Sequence, residues 1–150
     1  MVTKPLFARS LIAAAALACS TTAFAAVTYL TIPTVLYGAN LPQYPDNCVL
    51  FLRYDMKIAL PRINLTTWTA KKSIVNVSGS PRSGDVAIIR IPRGTSATDG
   101  QVAQVRSVTS TSITVLEANY RAGKVTMRQA TGTNLADAAA QLNIYGYFRP

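Results

Sequence analysis

The order of periodicities along the chain predicts an α+β domain, with N-terminal helices packed on one face of an antiparallel sheet of about five strands. Three observations predict it. Apolar residues recur at helical spacing after Asp46; from Gly84 onward the period falls to two; and short strands then follow one another consecutively.

Taken in order, Met1 to Ala25 reads as a secretory signal peptide. Lys4 and Arg9 make its basic start, Ser10 to Cys19 its small and apolar core, and Ala23-Phe24-Ala25 its cleavage site. The apolar run is short for a bilayer span, so a secreted or periplasmic protein with no stable membrane span is expected. Residues 26–43, rich in Thr, Tyr, Pro and Gly, read as an extended N-terminal arm, and residues 44–150 as the domain. Asp46 is placed at a helix cap, ahead of a stripe formed by Val49, Leu52, Met56 and Ala59 that Pro61 stops. A second, weaker helical segment spans Ile63 to Val77, with Trp68 on it and Lys71-Lys72 facing water.

Strands are expected at Asp85–Ile91, Gln101–Val108, Ser112–Asn119, Lys124–Thr131 and Asn143–Phe148. Ser78–Gly84, Pro92–Gly100 and Thr109–Thr111 are the loops and turns between them, and Thr133–Ala140 is a loop or short helical turn. Asp85 is expected to hold a strand entrance. Acidic residues are too sparse for a calcium loop, and nothing implies a metal or a cofactor.

The chain is basic, with 15 Lys and Arg against 6 Asp and Glu. In an exported protein this suits polyanionic partners such as cell wall polymers. Nucleic acid is excluded as a partner, because export removes the protein from it and the basic residues are scattered.

Chemistry centres on Cys48. Cys19 leaves with the signal, so Cys48 is the lone cysteine of the mature chain; it is a functional thiol, a small buried side chain, or the bridge of a disulfide-linked dimer. Its place at a helix start, where N–H groups and the dipole favour negative charge, points to a lowered thiol pKa and a nucleophile. Strand alternation puts Gln101 at the start of one strand near Glu117 and Asn119 at the end of the next. Tyr44, Tyr54, Tyr120, Tyr145 and Tyr147 either line a groove or half-cover the core.

Five stretches in order resemble CHAP domains: Asn47-Cys48, Pro81 to Ala87, Gly100 to Val105, Glu117-Ala118-Asn119-Tyr120 and Gly146 to Pro150. These are cysteine, histidine-dependent amidohydrolases and peptidases of papain-like fold, related to the NlpC/P60 group, that cut peptide or amide linkages of peptidoglycan. The resemblance runs from about Tyr44 to Pro150. It implies Cys48 as the nucleophile, Glu117 and Asn119 as the orienting and polar pocket residues, and Gln101 at the histidine position. The chain contains no histidine at all. A carboxamide cannot take a thiol proton or return one to a leaving amine. The resemblance therefore implies a pseudoenzyme that binds peptidoglycan peptide or a wall-associated protein. The alternatives are an active peptidoglycan amidase or endopeptidase with an unorthodox base, Glu117 among the candidates, and an interaction protein bridged through Cys48.

Overall fold

A computed structural model describes residues 26–32, 47–91, 98–120 and 123–150. The signal segment, most of the arm, Tyr44, the Asp46 cap and residues 92–97 of the loop lie outside the described residues.

All strand pairs are antiparallel, in one six-stranded sheet. Its strands are β1 (Ala26–Leu30), β2 (Val86–Ile89), β3 (Gln101–Val108), β4 (Ser112–Ala118), β5 (Val125–Thr131) and β6 (Ile144–Phe148), in the spatial order β1-β5-β4-β3-β2-β6. The expected five are present. The sixth, β1, comes from the stretch read as an arm, whose first residues pair with β5 from Ala26 opposite Thr131 to Leu30 opposite Met127. Its backbone pairing, rather than any apolar alternation of its own, makes it a strand, since most of its side chains are exposed.

The two expected N-terminal helices are much shorter than their apolar stripes suggest. Helix α1 (Cys48–Leu50) runs directly into a π-helical turn, Phe51–Asp55. Its cap is Asn47, whose Oδ1 accepts the N–H groups of Val49 and Leu50, each at 3.0 Å. Pro61 does not end this element. It stops ahead of Lys57, where φ is +56°, and the Arg53 guanidinium then ties the returning chain down by donating to the carbonyls of Pro61 and Ile63. Helix α2 (Trp68–Ser73) occupies only the middle of the expected segment, capped by Thr67. The Ala-rich stretch forms a true helix, α3 (Leu135–Gln141), with Asn134 Oδ1 accepting the Asp137 N–H.

Both faces of the sheet are covered, where one covered face was expected. Val86, Ile88, Val102, Leu116 and Ala118 pack with Cys48, Phe51 and Leu52 from the α1 side. The alternate residues Ala87, Ile89, Ala103, Val105, Ile113 and Val115 pack with Ala138 and Leu142 from the α3 side. Period two along each strand thus feeds two cores instead of a core and a solvent face. The expected strand entrance is held by Asp85. Its carboxylate accepts Arg149 Nε and Nη2, each at 2.8 Å, and the Arg82 N–H at 3.0 Å, so the C-terminal segment is fastened to the start of β2.

Candidate functional site

A cavity of about 320 Å³ opens where the start of α1 meets the start of β3, and Cys48, Lys71, Gln101 and Asn119 all line it. Three sequence elements therefore converge as the strand alternation required: the helix start, the start of β3 and the residue just past the end of β4. Gly100 makes the approach close enough. Its φ is +63°, and a side chain there would place Cβ 2.6 Å from Cε3 of Trp68, so β3 enters flush against the α2 ring.

Cys48 is a free thiol, 9% exposed. It receives a hydrogen bond from the Val102 N–H. Burial nevertheless pushes its pKa above the ordinary 9.0, with the Lys71 charge and the N–H contacts opposing. This corrects the expectation of a lowered value. A single α-helical turn running into a π-helical one supplies too little dipole to offset desolvation of the thiolate.

Gln101 takes the place foreseen for it, at the first position of β3, and donates from Nε2 to the Ala118 carbonyl at 2.7 Å. Asn119 sits just after β4 with φ +62°, a left-handed conformation that Asn tolerates. Its Oδ1 accepts the Gly123 N–H at 3.1 Å, closing the β4–β5 turn.

Glu117 belongs to a different constellation. It lies on the α3-side face, fully buried, and its carboxylate is gripped by Arg128 through Nε at 2.5 Å and Nη2 at 3.2 Å. Arg128 is itself 2% exposed and stacks 3.5 Å over the Tyr120 ring. Burial pushes the Glu117 carboxyl above its ordinary value, against the pull of Arg128 and of the neighbouring Gln101 amide. Arg128 thus joins Gln101 as its partner and engages both its oxygens, while the Glu117 charge still bears on the Cys48 thiol and helps to raise its pKa. The signal was present in the sequence, because alternation along β5 puts Arg128 on the same inward face as Ala130.

Lys71 is the residue that sequence reasoning placed wrongly. Expected in water, it is 3% exposed. Its Nζ donates to the carbonyls of Asp99 at 2.6 Å, Thr66 at 3.3 Å and Gly100 at 3.4 Å. Burial lowers its pKa from the ordinary 10.5, while Cys48 and Asp99 resist the shift. Three acceptors for three N–H bonds hold the group as an ammonium. The helical spacing from Trp68 to Lys71 could have shown it, since residues three apart share a face and Trp68 is inward. Only Lys72 turns outward, over the Trp68 and Tyr145 rings at 5.5 and 5.8 Å.

No described tyrosine lines the cavity, and Tyr54 and Tyr145 are exposed elsewhere. Among the described residues no group of three His, Cys, Asp or Glu side chains could hold a metal, and no helix is long and apolar enough to cross a membrane. Comparison with family models, with curated proteins and with solved structures finds no match for this chain.

Proposed function

We propose that the chain is an exported, CHAP-like domain of papain-like fold that binds cell wall peptide in the Cys48 cavity without cleaving it. The supporting observation is the cavity itself. A thiol, four carboxamides and a buried ammonium meet in a concave site large enough for part of a peptide, and none of these groups is a base poised to cycle a proton. Cys48 is a neutral thiol near neutral pH, Gln101 is non-basic, and Lys71 has its N–H bonds spent on carbonyls. The carboxylate that would orient a histidine is held by Arg128. Loss of one member of such a unit costs about four to six orders of magnitude in turnover, and here both base and orienting group are gone.

Purified residues 26–150 incubated with cell wall sacculi test the proposal. Cosedimentation with the sacculi, unaffected by Cys48→Ala and unaccompanied by released peptide, is the expected result. Peptide release that Cys48→Ala abolishes would refute it in favour of the active amidase.

A further inference from the structure

The polar lining of the cavity is one-sided. Lys71 and Arg53 bring two cations to it, and Asp99, exposed beside it, is the only acid in the lining among the described residues. Lys71 forms no salt bridge with a described residue; three backbone carbonyls take its N–H bonds, and the Asp99 charge acts on it without ion-pair contact. A buried cation with no carboxylate in contact is an unfavourable arrangement that a ligand anion relieves.

The three asparagines of the lining, Asn47, Asn64 and Asn119, share the same bias, and Asn64 spends its Oδ1 on the Thr66 N–H. Asn47 spends its Oδ1 on the Val49 and Leu50 N–H groups, and Asn119 spends its Oδ1 on the Gly123 N–H. None of the three Nδ2 groups donates to a described residue, so what each carboxamide offers a ligand is its donor end. Arg53 likewise uses only Nη2, on Pro61 and Ile63, and keeps its other N–H groups. The wall of the cavity therefore offers donors and positive charge, and its complement is a group that only accepts.

We propose that the cavity takes a free carboxylate, the C-terminal end of a short peptide, with the carboxylate seated against Arg53 and the asparagine amides and attracted by the charge of Lys71, whose own N–H bonds stay on their carbonyls. This rests on the peptide-binding reading above and specifies which part of the peptide enters. A carboxylate presents two acceptor oxygens and no donor, which suits amide N–H and guanidinium groups together. The Cys48 thiol, kept neutral by burial, adds no competing negative charge.

Isothermal titration of residues 26–150 at pH 7 and low salt, with an N-acetylated tetrapeptide as the free acid and as its C-terminal amide, tests this. The free acid is expected to bind at least tenfold more tightly. That advantage is expected to shrink as salt is raised and to fall several-fold in Arg53→Gln. Lys71→Met should abolish the advantage, with circular dichroism checking that the variant folds; the salt series needs no variant and tests the charge independently. Equal or tighter binding of the amide would overturn the carboxylate assignment and leave the peptide reading standing. Binding of neither peptide would overturn both.

Discussion

Gln101→His supplies the base that the proposed function finds missing, and the structure allows its effect to be worked out. The Gln101 amide donates to the Ala118 carbonyl at 2.7 Å. An imidazole at that position can make the same donation with one ring N–H, which fixes the tautomer and leaves the other nitrogen free to face the cavity that Cys48 lines. Burial raises the thiol pKa from its ordinary value, so the neutral thiol dominates at pH 7. A positioned general base is worth about 10²–10⁴-fold. Two features hold the gain at the lower end. Glu117 is committed to Arg128 and cannot stabilise the imidazolium, and the Lys71 charge opposes a second cation in the same cavity. The expectation is a rise of about 10²-fold in iodoacetamide alkylation of Cys48 at pH 7, with the half-reaction pH moved downward, as for other histidine-paired thiols. Mass spectrometry of the quenched protein reads both. An unchanged alkylation profile in a folded Gln101→His protein would refute the placement of this side chain beside the thiol, and with it the reading of the site as a triad lacking its base.

Three further outcomes follow from the same geometry. In the unmodified protein Cys48 should alkylate only above its ordinary titration range. Lys71→Met should move the profile further upward, because it removes a charge that favours the thiolate; an unchanged profile would show the two groups to be uncoupled. Glu117→Ala leaves the Arg128 guanidinium buried without a counter-ion and should cost about 3–5 kcal/mol in urea unfolding, whereas a cost under about 1 kcal/mol would mean that the pair is solvated. The Arg149 contacts hold the Asp85 carboxyl below its ordinary 3.8, so its contribution to stability is present above about pH 4 and lost as pH falls through the folded value. Asp85→Asn should therefore flatten the acid limb of a stability–pH curve, and an unchanged limb would assign acid unfolding to other groups.

Strands were more legible than helices, for a physical reason. β3 and β4 carry continuous alternation, and their register follows from backbone pairing once the Thr109–Thr111 turn is placed. Ala103, Val105, Ile113 and Val115 accordingly share one core. The stripe from Val49 to Ala59 satisfies helical spacing equally well, but spacing does not report where the backbone leaves the helix. The Phe51–Asp55 π-turn and the left-handed Lys57 end it, while Ile58 and Leu60 still bury their side chains from a non-helical chain. Apolar residues that reach the core from an irregular segment look, in sequence, like one more helical turn. β1 posed the opposite problem. Its side chains are mostly exposed and carry no period, and only the free edge of β5 makes it a strand.

The site shows the same division. Gln101 and Asn119, placed by strand parity, line the cavity, and Glu117 lies beside Gln101 as expected but outside the lining. What sequence adjacency does not show is Arg128, on the strand at its other side, which grips Glu117 through a bidentate contact. On the proposed function, Glu117 decides how far the site stands from catalysis. If Gln101 were the one departure, a single reversal would supply the base, whereas a carboxylate also held in a buried ion pair with Arg128 requires a second change, and that one disturbs the core. The buried positive charge of Lys71 further disfavours an imidazolium in the same cavity. The electrostatics of the cavity therefore suit holding an anion better than shuttling a proton, and Gln101, neutral and hydrogen-bonded to Ala118, is compatible with that role where a histidine would not be.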